Sequence, residues 1–162
     1  MNQSILLIGG NLGPRELHLQ EAVALIHAEA GAVTRASALY ETAPWGKVEQ
    51  PAYLNQALLI DTPLDAHALL VKVLEIEHRI GRIRREKWGA RVIDIDVIFY
   101  NDAVLSLPDL KVPHPQLQHR RFVLVPIAEI APDWMHPTLH KTVRELLDVT
   151  LDALPVNRVN FQ

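Results

Sequence analysis

Asp94 and Asp96 stand two residues apart in the apolar segment 92–100, among Ile93, Ile95, Val97 and Phe99. Side chains of a strand alternate across its sheet, so the two carboxylates share one face and the four apolar residues are expected on the other. Aspartate is disfavoured in strands, and two on one face repel each other unless a cation lies between them. Their β-carbons are two residue rises apart, about 6.5–7 Å. A hard divalent cation with oxygen ligands can bridge such a pair and keep positions for phosphate oxygens. Taken alone, the Asp-x-Asp pattern reads equally well as the solvated face of an edge strand.

The segment just before it changes that balance. Arg79, Arg82, Arg84, Arg85, Lys87 and Arg91 fall within residues 79–91 against one acid, Glu86. Arginine presents a planar, permanently charged fork that fits phosphate, and such groups stabilise charge on a transferring phosphoryl group. Trp88 and Gly89 add an aromatic surface and a pivot. With Gly81 at the other end, the loop can close over a nucleotide and exclude water. Carboxylates for magnesium beside arginines for phosphate are the recurring parts of a phosphoryl-transfer site. Gly9-Gly10-Asn11-Leu12-Gly13 lacks the Gly-Lys-Ser/Thr ending of a Walker phosphate loop. It reads as a strand-to-helix turn that brings backbone close to a ligand.

The elements that must position these groups follow from periodicity. Residues 4–8 read as a buried strand. Pro14 opens a helix whose apolar face is Leu19, Ala22, Val23, Ile26 and Ala30, closed by Gly31. Residues 32–41 read as a strand, 42–52 as a loop with two prolines and a glycine, and 53–61 as the next strand. A second helix runs over residues 65–80 with Leu69, Val73, Ile76 and Ile80 on one face. Residues 92–100 are the last clear strand. The order β-α-β-β-α-β predicts an α+β, ferredoxin-like fold: four antiparallel strands with both helices on one face. Residues 101–162, rich in proline with short helical patterns such as 142–149, read as an extension on the same core, so that 1–162 form a single domain.

Composition narrows the function. The 162 residues contain no cysteine, which excludes a disulfide framework, a thiolate metal site and a cysteine nucleophile. Hydrophobic residues make up 49% and charged residues 22%, the balance of a folded globular chain. A net charge of −3 argues against a general nucleic-acid binder. No apolar run approaches the roughly 20 residues needed to cross a bilayer, and the first residues do not resemble a signal peptide. A cytoplasmic location is expected.

The stretch from Lys87 to Ile98, Lys87-Trp88-Gly89-Ala90-Arg91-Val92-Ile93-Asp94-Ile95-Asp96-Val97-Ile98, resembles the signature of the 6-hydroxymethyl-7,8-dihydropterin pyrophosphokinases. The likeness extends to Ile8-Gly9-Gly10-Asn11-Leu12, Tyr40-Glu41-Thr42-Ala43-Pro44, Gln50-Pro51-Ala52-Tyr53-Leu54-Asn55, Val112-Pro113-His114 and Arg120-Arg121-Phe122, in order. It covers about the first four-fifths of the chain.

This resemblance implies a ferredoxin-like monomer that transfers pyrophosphate from ATP to the hydroxymethyl group of a reduced pterin and releases AMP, in folate biosynthesis. It implies two Mg2+ ions held by Asp94 and Asp96, and catalytic assistance from Arg82 and Arg91. It implies a pterin stacked between Tyr53 and Phe122. The pterin edge would be read by Asn55 and by backbone around Thr42 and Ala43, with Gly9, Trp45 and Trp88 at the pocket. Nucleotide contacts map to Glu77, Arg84, Lys87, Trp88, Val97, Lys111, His114 and Arg120. Stacking suits a flat heteroaromatic ring, and an amide both donates to and accepts from a pterin edge.

Five positions depart from the family pattern: Ala43 for a proline, Trp45 for a leucine, Leu74 for a polar residue, Asp109 for a basic one and Pro115 for an aromatic. The first two bear on pterin-pocket shape and the rest on nucleotide affinity. Two rival readings use the same sheet: a metal-dependent nucleotidyltransferase or nuclease built on Asp-x-Asp, and a non-catalytic RNA-binding module. The second requires exposed aromatics at the sheet centre and a basic surface.

Overall fold

The computed structural model describes residues 1–43, 51–81 and 92–159. Its main sheet has six strands: β1 (Asn2–Gly10), β2 (Ala32–Ala36), β3 (Leu39–Thr42), β4 (Tyr53–Thr62), β5 (Asp94–Tyr100) and, near the C-terminus, β8 (Asn157–Val159). The order is β5-β1-β4-β3-β8, with β2 also pairing with β4, and every pairing is antiparallel. That order matches the expected split arrangement, with the second strand broken in two and β8 added at an edge. A short hairpin, β6 (Leu105–Ser106) and β7 (Lys111–Val112), follows β5.

Helices α1 (Arg15–Glu29) and α2 (Ala66–Gly81) lie on one face, as their apolar spacing predicts. Leu19, Ala22 and Ile26 of α1 meet Leu69, Val73 and Ile76 of α2 over Leu6, Ile8, Leu58, Ile95 and Val97. Gly31 ends α1 where only glycine fits, since a β-carbon there would stand 2.5 Å from the Asp61 carbonyl oxygen. Thr62 Oγ1 donates to the Ala30 carbonyl at 2.5 Å and satisfies one of the helix-end acceptors.

The sequence reading is corrected in three places. Residues 32–41 are two strands, because the pairing moves from Ala36↔Leu58 to Tyr40↔Asn55, four residues against three. Ser37 fills the step: its Oγ accepts from Ala57 N at 2.9 Å. The extra residue turns Tyr40 onto the sheet face opposite α1 and α2. A second bulge lies in β5, where Leu6 pairs with Val97 but Ile5 with Phe99. Phe99 therefore packs on the opposite face from Ile95 and Val97, not with them.

The third correction concerns the C-terminal extension, which builds a second core instead of enlarging the first. Helices α3 (Arg121–Ile130) and α4 (Val143–Val149) cover the other face, where Val123, Leu124, Ile127, Val143 and Leu146 pack on Ile5, Leu7, Ala57, Ile98 and Phe99. Tyr40 donates from its hydroxyl to Glu129 Oε1 at 2.5 Å, which ties β3 to α3. Burial and then the Glu129 carboxylate push the Tyr40 phenol up to about 12. Among the described residues, no helix is long and apolar enough to cross a membrane.

Candidate active site

The second core covers only part of its sheet face. Beyond it, the ends of four strands bring polar residues into line. Gly9 of β1 pairs directly with Asn55 on one side and with Asp94 on the other. Residues opposite one another in adjacent strands point to the same face, so Asn55 and Asp94 flank Gly9 at about 9–10 Å between Cα atoms. One step along, Leu7 separates Ala57 from Asp96, and Asp94 and Asp96 thus share the face of the second core. Asp94 is half-buried and Asp96 exposed, whereas Ile95 and Val97 enter the first core. The alternation read from the sequence holds for these four residues.

Gly9 has no room for a side chain. A β-carbon there would lie 2.1 Å from Asn55 Oδ1 and 3.0 Å from the Leu54 carbonyl oxygen. Asn55 is itself 6% exposed. Tyr53 pairs with Thr42 across β3 and β4 and, two residues from Asn55, projects to the same face. Thr42 is buried, and its Oγ1 has no hydrogen-bond partner among the described residues. Ala43 follows it, exposed. Phe122, at the second position of α3, packs partly buried against the second core. The Arg120 guanidinium stands 5.8 Å from its ring centroid, within cation–π range.

On the outer side of β5, a cavity of about 440 Å³ runs between α2 and the turn after β6. Asp94, Asp96, Val97, Glu77, Lys111 and His114 all line it, so six sequence-predicted residues meet there. Glu77 Oε2 accepts from Ile95 N at 2.5 Å, fixing α2 to the edge strand. His114 accepts at Nδ1 from Gln116 N at 3.2 Å. Burial, and next the nearby Arg120 charge, pull its pKa below the ordinary imidazole value. His114 therefore offers a neutral ring with Nε2–H as donor. Three residues that depart from the family pattern, Leu74, Asp109 and Pro115, are also in this wall.

Leu70, Pro108 and Leu110 line the cavity as well and were not singled out in the sequence. A signal for Leu70 was present: Leu70 and Leu74 form an apolar pair four residues apart on α2, beside the core stripe of Leu69, Val73 and Ile76. Leu74 is 49% exposed, which is what an apolar wall awaiting a ligand looks like. Trp45, Arg82, Arg84, Lys87, Trp88 and Arg91 lie outside the described residues. Among the described residues no group of three or more His, Cys, Asp or Glu side chains gathers as a metal cluster, so protein carboxylates here supply a pair of hard oxygen donors.

This combination of an antiparallel sheet, paired edge-strand acids and a polar crevice defines a class, the small α+β phosphoryl-transfer enzymes. Comparison with known proteins gives the family. Residues 5–132 match the model of the 7,8-dihydro-6-hydroxymethylpterin-pyrophosphokinase family, and the chain belongs to that family. A 2-amino-4-hydroxy-6-hydroxymethyldihydropteridine pyrophosphokinase of Methylorubrum extorquens is 44% identical over 160 residues, covering 98% of this chain and 99% of the relative. One of Synechocystis is 46% identical over 142 residues, covering 87% and 72%. The wild-type HPPK-DHPS of Plasmodium falciparum shares the fold, with a TM-score of 0.72 at 18% identity. That match covers 91% of this chain and 44% of the longer one, so this chain spans less than half of that protein.

Proposed function

We propose that pyrophosphoryl transfer runs along the line Asn55–Gly9–Asp94, with the pterin on the Asn55 side and the ATP phosphates on the Asp94 side. The reaction itself is that of the family: the chain transfers pyrophosphate from ATP to the hydroxymethyl group of 6-hydroxymethyl-7,8-dihydropterin in folate biosynthesis. The observation that carries the assignment of sites is the register at Gly9, which sets an amide and a carboxylate one strand apart on either side of a bare backbone. A flat ring approaching Gly9 meets no β-carbon of that residue, and the Asn55 amide that fills the space beside it reads the ring's edge.

On the pterin side, Tyr53 and Phe122 supply stacking faces and the Thr42–Ala43 backbone supplies polar contacts. The unpartnered Thr42 hydroxyl supports a polar ligand at this end. On the nucleotide side, Val97, Lys111, His114 and Glu77 wall the cavity, with Arg120 nearby. Arg84, Lys87 and Trp88 complete the ATP contacts, and Trp45 and Trp88 the pterin pocket, on the strength of the sequence resemblance. Two hard carboxylate oxygens on one face suit Mg2+, for which two ions are expected with ATP bound. Bound there, the metal offsets phosphate charge and makes the β-phosphorus more electrophilic.

The chain's own groups position the reactants. Asn55 and the aromatic pair hold the pterin with its hydroxymethyl oxygen toward the β-phosphorus. A bond forms from that oxygen to phosphorus, the bond from the β-phosphorus to the α,β-bridging oxygen breaks, AMP departs and the hydroxymethyl proton passes to solvent. Arg82 and Arg91 stabilise charge on the transferring group. Positioning and electrostatics suffice for such a transfer. The chain acts as one unit over 1–162, as a cytoplasmic monomer on small molecules.

Incubation with ATP, Mg2+ and hydroxymethyldihydropterin, scoring AMP and the pterin diphosphate, tests the reaction. Asp94→Ala tests the site: turnover should fall at least ~10³-fold even at saturating Mg2+, whereas a near-normal rate removes Asp94 from it. Pyrophosphate in place of AMP as product would favour a nucleotidyltransferase.

A further inference from the structure

We infer that Arg15 is a positioning residue for the pterin side of the site, a staple that joins both arms of the β3–β4 hairpin to the start of α1; the inference rests on the pterin placement above. Arg15 Nη1 donates to Glu41 Oε2 at 2.7 Å and to the Ala52 carbonyl oxygen at 2.9 Å. Glu41 immediately precedes Thr42 on β3, and Ala52 immediately precedes Tyr53 on β4. Thr42 and Tyr53 are register partners at the loop end of that hairpin, the last residue of β3 against the first of β4. One guanidinium therefore holds the two strands just where each delivers a residue to the pterin.

Asn11 reinforces the same joint. It is 1% exposed, and its Nδ2 donates to the Pro51 carbonyl oxygen at 3.1 Å. Asn11 and Arg15 bracket the turn that leads from Gly9-Gly10 into α1, so the backbone that faces the pterin and the hairpin that reads it are fixed to one another.

Arg15 has no local reason to be where it is. It occupies the first position of α1, where the helix dipole disfavours a cation, and the N-cap residue Pro14 makes no side-chain cap. The Arg15 side chain is 22% exposed, and Glu41 40%, so the pair is not a fully solvated one. Two charge-assisted bonds from a rigid planar donor define an orientation, not only a distance. Both bonds leave Nη1, whose two hydrogens are fixed in the guanidinium plane, whereas the rotating ammonium of lysine fixes no such plane.

Arg15→Ala, Arg15→Lys and Asn55→Ala are compared with the parent enzyme for kcat, KM of each substrate and Tm. Arg15→Ala should raise the pterin KM about tenfold, in keeping with the sensitivity of such sites to small displacements, with the ATP KM within twofold. Arg15→Lys should recover part of the loss, and Arg15→Ala in a Glu41→Gln background should add less than it does alone. An unchanged pterin KM in Arg15→Ala, or equal increases for both substrates, overturns the inference. Should Arg15→Ala fail to fold, Arg15→Gln carries the same comparison. If Asn55→Ala alone raises the pterin KM, only the staple is wrong; if Asn55→Ala has no effect, the pterin placement is wrong.

Discussion

Asn55 and Asp94 stand on opposite sides of Gly9, each its direct partner in a neighbouring strand. In the placement proposed above, the two halves of the reaction are divided by a single residue that has no side chain. Gly9→Ala would drive a methyl group to within 2.1 Å of Asn55 Oδ1, and the amide must move. The pterin KM should rise at least ~10-fold while ATP binding, measured by titration of a non-hydrolysable analogue, stays within about threefold. Equal weakening of both ligands would mean the strands themselves had shifted.

The Leu70–Leu74 wall predicts a nucleotide effect that is separate from the chemistry. Leu74→Gln replaces a half-exposed apolar side chain with a polar one of similar size. Fold stability should change by less than about 0.5 kcal/mol, as for most surface changes. The ATP KM should shift with kcat unchanged, the pattern of uniform binding. A change in kcat alone would place Leu74 elsewhere in the cycle.

Tyr40→Phe removes the hydroxyl that Glu129 accepts, while Glu129 keeps its bonds to Ala38 N at 3.2 and 3.1 Å. Tyr40 is 8% exposed, so the loss is one largely buried hydrogen bond to a charged group, about 1.5–3 kcal/mol. Urea denaturation should show a lower midpoint with an unchanged slope. Because α3 also carries Phe122, the pterin KM should rise modestly in the same variant.

Acid sensitivity should come in part from His136. Its Nδ1 accepts from Thr138 N at 3.2 Å and Leu139 N at 3.1 Å, and burial, then the His140 charge, pull its pKa below 6.5. Between 6.5 and that lower value the unfolded chain binds a proton that the native state refuses. Stability is therefore retained above 6.5 and declines as pH falls below it. His136→Asn keeps an acceptor but cannot titrate. Its Tm should fall less than the parent's between pH 7.5 and 5.5, and parallel falls would exclude His136 as a contributor.

Much of this arrangement was legible in the sequence because it depends on period. The apolar spacing of α1 and α2 and the alternation of Asp94 and Asp96 with Ile95 and Val97 are local patterns, and each survives folding. Single-residue insertions are not periodic and left no trace. The bulges that separate β2 from β3 and that turn Phe99 are resolved only by pairing with β4 and β1. Helix α3 was hidden by Pro126 within it and by prolines around it. Its ten residues form a helix because Val123, Leu124 and Ile127 find a second sheet face to cover. Arg15 was not singled out in the sequence, because its partners lie 26 and 37 residues away.

Two backbone groups on the outer edge of β5 are already occupied. Ile95 N–H is taken by Glu77, and the Ile98 carbonyl oxygen accepts from His114 N at 2.9 Å. An unsaturated strand margin invites another chain to add itself, the usual origin of intermolecular zippering. Here a side chain from α2 and a turn from the downstream segment consume two of those valences. Two backbone groups of the border that carries the acids are thereby withheld from any neighbouring polypeptide, beside the cavity that Asp94 and Asp96 line.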